Sequence, residues 1–200
     1  IDEIMKNRHK NFFCAVRPPG HHALNTGKHE GFCFYNHVAI SAKYIQNKYK
    51  LKKVLIIDWD YHHGNSTELF FYKDPSVLFF STHDANAYPR TGSPDRKGSG
   101  KGKGYNVNIH LPCGTTDKKI ISTYENKLVK KANIFKPDFI LISAGFDSRK
   151  DEPLGCFDVS DKGFKTLTTI ALQIDEKHCN GRILSILEGG YNVVGTAKAA

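Results

Sequence analysis

The sequence predicts a three-layer open α/β domain built on a central, mostly parallel sheet. Four short runs, residues 54–57, 77–80, 139–142 and 183–187, are almost wholly apolar. Strands that lack polar alternation are strands covered on both faces, as in parallel sheets. Helical segments at 36–48, 118–135 and 161–177 lie around them, and strand–helix alternation of this kind makes an open α/β domain. In addition, every one of the four runs is followed by ionisable or small residues, and in open parallel sheets ligands bind beyond the carboxyl ends of the strands.

In chain order, the helix at 36–48 precedes the first run, Val54-Leu55-Ile56-Ile57, which leads into Asp58-Trp59-Asp60-Tyr61-His62-His63-Gly64-Asn65. Val77-Leu78-Phe79-Phe80 leads into Ser81-Thr82-His83-Asp84. The stretch 94–104, in which glycines and basic residues alternate, reads as a surface loop. After the helix at 118–135, Phe139-Ile140-Leu141-Ile142 leads into Ser143-Ala144-Gly145-Phe146-Asp147. Asp161 is the expected N-cap of the next helix. Ile183-Leu184-Ser185-Ile186-Leu187 leads into Glu188-Gly189-Gly190-Tyr191, and 193–200 reads as a helix cut off soon after it starts.

Two hundred residues suit one domain with a sizeable core. No apolar run approaches the ~20 residues of a membrane span. Ile1 to Lys6 carries neither a signal peptide's apolar stretch nor an initiator methionine, so the chain reads as an excerpt. The net charge of +9 comes from scattered lysines that are not interleaved with aromatics, which reads as a solvated surface and no direct nucleic-acid partner. Five cysteines, Cys14, Cys33, Cys113, Cys156 and Cys179, are odd in number and far apart. That spacing argues against a disulfide scaffold and a thiolate metal site, and for a reducing compartment.

Asp58, Asp60 and His62 offer carboxylate and imidazole donors suited to zinc, of which a catalytic site uses three and leaves a position open. Asp60 and His62, two apart, point to one side of an extended segment. Asp147, at the end of another strand, is the natural third ligand; a capped turn with satisfied histidines is the plainer alternative. In Arg17-Pro18-Pro19-Gly20-His21-His22-Ala23 a rigid loop carries adjacent histidines, which favours proton transfer over metal ligation, with a structural pair as the alternative. Tyr191, after two glycines, could donate to a developing oxyanion.

Together with Gly31-Phe32-Cys33-Phe34-Tyr35-Asn36 and Leu187-Glu188-Gly189-Gly190-Tyr191-Asn192, these segments resemble the zinc-dependent histone deacetylase family through nearly all 200 residues. Asp58-Trp59-Asp60-Tyr61-His62-His63-Gly64-Asn65 is similar to class II members, and the wording is nearest to class IIb. The resemblance implies an arginase/deacetylase-like fold incomplete at both ends, with residues 1–200 forming part of the catalytic domain. It implies hydrolysis of the acetyl amide of N6-acetyl-lysine, with Zn²⁺ on Asp60, His62 and Asp147. His22 would be general base and acid, His21 its electrostatic tuner oriented by Asp58, and Tyr191 the oxyanion donor. Gly31, Phe32, Tyr88, Leu154 and Gly189 would line the substrate channel. A structural K⁺ would sit at Asp58, Ser81 and Thr82 with the backbone of Asp60 and His62.

Weakly active members carry His where this chain has Tyr191, so an active enzyme is implied. Relatives that prefer acetylated polyamines carry Glu where this chain has Leu154, which favours protein substrates, although Glu152 lies nearby. Tyr88 stands where phenylalanine is usual. The implied partner is an acetylated protein, a histone tail or another, with a corepressor complex possible in such families and no membrane. The implied compartment is nucleus, cytoplasm or both. The alternatives are a small-molecule deacetylase and a non-catalytic acetyl-lysine reader.

Overall fold

The computed structural model describes residues 1–8 and 10–200. Six strands form one sheet: β1 (Asn11–Cys14), β2 (Val54–Asp58), β3 (Val77–His83), β4 (Asn106–His110), β5 (Phe139–Ala144) and β6 (Ile183–Leu187). Their spatial order is β1-β6-β5-β2-β3-β4, and every pairing is parallel. The four apolar runs form the sheet's inner strands. Their side chains divide by parity: Leu55, Ile57, Ile140 and Ile142 face one core, and Val54, Ile56, Phe139 and Leu141 face the other. Burial on both faces is the physical reason why these runs show no alternation.

The helices are α1 (Asp2–Met5), α2 (His37–Tyr49), α3 (Asn65–Phe71), α4 (Asp117–Thr123), α5 (Val129–Phe135), α6 (Asp161–His178) and α7 (Val193–Ala199). On one side of the sheet, α2 buries Val38, Ala39, Ala42 and Ile45, one stripe at helical spacing. On the other, α6 buries Phe164, Leu167, Ile170, Ala171 and Ile174 beside α4 and α5. Three layers result. Each fully buried large side chain contributes about 1.5–3 kcal/mol relative to exposure.

Three local expectations need correction. The helix at 118–135 is interrupted by a π-helical turn at Tyr124–Leu128, which turns the buried Tyr124 towards Thr82 Oγ1 at 3.3 Å. The N-cap of α6 is Ser160, whose hydroxyl accepts from the Gly163 amide at 3.1 Å. Asp161 is the first helical residue, and its carboxylate accepts from Arg149 Nε at 2.7 Å. Cys113 and Cys156 are joined as a disulfide with a Cα separation of 5.1 Å, whereas their spacing had argued for free thiols. The turn after β4 lies against residues 156–158, with Asp158 N donating to Thr115 O at 2.8 Å, and sequence distance conceals that proximity.

Candidate active site

The segments after β2, β5 and β6 converge because these strands are neighbours in space. Asp60 and His62 leave β2, Asp147 leaves β5, and the Gly189–Tyr191 turn leaves β6. Asp60, His62 and Asp147 each direct one donor atom into a common point, the three atoms lying within 4.8 Å of one another. His62 Nδ1 is 2.9 Å from Asp147 Oδ2 and 3.2 Å from Asp60 Oδ1. Both carboxylates are wholly buried. The Tyr61 amide donates to Asp147 Oδ1 at 2.9 Å, and the Gly189 amide donates to Asp60 Oδ2 at 2.8 Å.

The cluster fits a divalent ion by its donor chemistry and by its shape. Two buried carboxylates call for a compensating positive charge. Burial pushes Asp147 up to about 6, with Asp60 adding to the rise. Burial would lower His62, but its hydrogen bonds to Asp147 and Asp60 outweigh it and hold the imidazole at about 10. Around the cluster the backbone has been cleared. A Cβ at Gly145 would overlap the Asp60 carboxylate, and one at Gly189 would overlap the carboxylates of Asp147 and Asp60. One nitrogen and two oxygen donors are a set used for zinc. Gly189, expected on the channel wall, packs against the carboxylates of Asp147 and Asp60.

His21 and His22 come from the loop after β1. Their rings lie 4.0 Å apart, and the two residues make different bonds. His21 Nδ1 meets Asp58 Oδ2 at 3.1 Å. Burial opposes charge on His21, but Asp60, Asp58 and Glu188 together raise its pKa well above the usual imidazole value. His22 Nδ1 meets Asn65 Oδ1 at 2.7 Å. Burial, reinforced by His21, lowers His22 to about 2. An amide oxygen can only accept, so the proton of neutral His22 sits on Nδ1 and its Nε2 lone pair is free. Asp58 itself is pushed up to about 7, by burial first and against the pull of His21.

Tyr191 is held above the usual phenol value by burial and by the charges of Asp60 and Asp147. Phe32 stands edge-on to it at 6.1 Å, and Tyr88 stands edge-on to His22 at 5.0 Å. Both wall residues are largely exposed, at 62% for Phe32 and 46% for Tyr88. Gly31 takes φ +52° where a Cβ would overlap the His22 ring. Leu154 is exposed beside Gly155, which packs on the Asp147 carbonyl. Asp58 and Ser81 are register partners across β2 and β3. The Ser81 hydroxyl lies 2.9 Å from His83 Nδ1.

Three residues hold this site to which sequence reasoning gave no such role. The Glu188 carboxylate accepts from the Gly20 and His21 amides at 2.6 and 3.1 Å and from Ser143 Oγ at 3.0 Å. Arg17 donates to the Glu188 and Gly190 carbonyls. Glu152 accepts from the amides of Tyr191 and Asn192. Asn65, which entered the sequence reading only as the end of the class II-like motif, is the partner of His22.

A probable deacetylase of Archaeoglobus fulgidus is 42% identical over 192 residues, covering 96% of this chain and 53% of the relative. A chloroplastic histone deacetylase 10 of Oryza sativa is 41% identical over 181 residues, covering 90% of this chain and 41% of the relative. The crystal structure of the HDA15 HD domain superposes with a TM-score of 0.90 at 43% identity, covering 98% of this chain and 57% of that one. The chain thus spans about half the length of the relatives it matches. The histone deacetylase domain model matches residues 1–200, and the chain belongs to that family.

Proposed function

We propose that the protein hydrolyses the acetyl amide of N6-acetyl-lysine side chains in proteins and releases acetate, with Zn²⁺ on Asp60, His62 and Asp147. The observation that carries this reading is the three-donor cluster of Asp60, His62 and Asp147 with the His22 ring 6.2 Å from that of His62 and bonded to Asn65. Zinc bound there supplies Lewis acidity toward a carbonyl oxygen and toward water. His22 Nε2 takes the proton of the attacking water and returns it to the departing lysine amine, while Nδ1–H on Asn65 fixes the tautomer. The Tyr191 hydroxyl donates to the oxygen on which charge develops. His21, paired with Asp58, places positive charge beside His22 and keeps it uncharged.

Phe32 and Tyr88 are exposed aromatic rings that suit the apolar stem of a lysine side chain, and Gly31 leaves room for the His22 ring. The Glu152 carboxylate is engaged by the Tyr191 and Asn192 amides and is not free to greet a polyamine cation. With Leu154 at the polyamine-selecting position, this supports a protein substrate. A structural K⁺ at Asp58, Ser81 and Thr82, with the backbone of Asp60 and His62, is part of the proposal, supported by the side-by-side register of β2 and β3. So are a corepressor complex and action in the nucleus, the cytoplasm or both. Among the described residues no helix is long and apolar enough to cross a membrane.

The test is zinc content and turnover of an acetyl-lysine peptide by the whole protein beside Tyr191→Phe. The variant should keep its zinc and lose about 10²–10³ in kcat, the usual cost of one oxyanion donor. Zinc without turnover would favour an acetyl-lysine reader. Turnover confined to acetylated polyamines would favour the small-molecule enzyme, and a protein that takes up no zinc would sink both.

A further inference from the structure

The loop bearing His21 and His22 and the turn bearing Tyr191 hold each other. From the turn, the Glu188 carboxylate reaches across to the Gly20 and His21 amides at 2.6 and 3.1 Å. From the histidine loop, the Arg17 guanidinium reaches back, Nη1 to the Glu188 carbonyl and Nη2 to the Gly190 carbonyl at 3.1 Å. On the far side of the turn Glu152 accepts the Tyr191 amide at 2.8 Å and the Asn192 amide at 3.1 Å. Arg17 is thus on the carbonyl side and Glu152 on the amide side of one short segment. Neither residue touches the metal ligands.

A turn containing two adjacent glycines needs such restraint. Gly190 takes φ +123°, a conformation closed to residues with a Cβ, and a Cβ there would approach Thr196 Oγ1 at 2.6 Å. Glycine makes the turn possible and also leaves it loose. The ring beside the Tyr191 side chain is the exposed Phe32, edge-on at 6.1 Å, whereas the hydrogen bonds that hold this segment are made by its backbone, so the backbone sets the direction of the phenol. Charged groups bonding to backbone amides and carbonyls make the stronger class of hydrogen bond, and they fix the segment from both sides.

We propose that Arg17 and Glu152 are positioning residues for Tyr191, a two-sided clasp that fixes the phenol relative to His22. The catalytic half of this inference rests on the deacetylase reading above, whereas the clasp itself does not. Four forms of the whole protein test it: Arg17→Met, Arg17→Lys, Glu152→Gln and Tyr191→Phe. Hydrogen exchange at residues 188–192 reads the clasp without reference to activity. Exchange should quicken in Arg17→Met and Glu152→Gln and fall between the extremes in Arg17→Lys, which keeps the charge and one donor.

In turnover, Arg17→Met and Glu152→Gln should lower kcat about tenfold to a hundredfold, with KM and zinc content held within about twofold. In the Tyr191→Phe background the same substitutions should cost less than about twofold, because the group they position is gone. Full additive losses there would overturn the proposal, as would unchanged exchange in a folded Glu152→Gln. If Arg17→Met does not fold, a folded Arg17→Lys with unaltered kcat and exchange overturns it equally. Quickened exchange in a protein whose parent shows no turnover would sink the deacetylase reading and leave the clasp standing.

Discussion

Gly31 and Asn65 show how much of this site is decided by single atoms. Gly31 sits at φ +52° with the His22 ring where its Cβ would be. Gly31→Ala should fold with zinc still bound and lose most of its turnover, since the base moves while the ligands do not; kcat and zinc content measured together check this. The residues that such reasoning can reach from sequence are those whose side chains carry the chemistry. Asp60, His62, Asp147, His22 and Tyr191 each follow an apolar run or a rigid turn, and that position announces them. Arg17, Glu152 and Glu188 were illegible for a physical reason. Their partners are backbone amides and carbonyls of distant segments, and backbone atoms leave no trace in residue identity.

At the scale of elements, strands buried on both faces were legible and the others were not. β4 alternates, with Asn106 and Asn108 turned towards the buried Glu68 of α3, so it lacks the continuous apolar signature. β1 offers two phenylalanines between polar neighbours at the sheet edge. The seven-residue α3 had no apolar stripe to declare it, because it buries Ser66, Thr67 and Glu68. Glu68 also bonds Arg96 and neighbours His63. Burial alone would raise its carboxyl, but His63, Asn108 and Arg96 outweigh that and hold it at about 2 against an ordinary 4.5. A depressed folded value means that the ionised group stabilises the fold above the unfolded value and ceases to as pH falls towards 2. Between pH 5 and pH 3 the urea midpoint of the protein should therefore fall further than that of Glu68→Gln.

For the whole molecule, the parity of side chains on β2 and β5 produced two cores and three layers, and this was readable from four apolar runs. The meeting of the turn at 112–116 with residues 156–158 was not, since it depends on how two loops fall beside each other at one end of the sheet. Asp60, His62 and Asp147 tie together the ends of β2 and β5, because two buried carboxylates and an imidazole meet there. A ligand bound only by the folded state stabilises it by about 4 kcal/mol at a thousandfold over its Kd. Removing zinc with a chelator should lower Tm, and readdition should restore it. Asp147→Asn should shrink that difference, and an unchanged Tm on chelation would show that the ion contributes nothing to the fold.

The strand order β6-β5-β2 has a temporal side. During synthesis Asp60 and His62 leave the ribosome together, but their third companion is more than eighty residues behind and enters only when β5 pairs along the edge of β2. Pairings of such long range are slow to form. A cation held by these three donors could not template the early chain, and its capture would mark the pairing of β5 with β2.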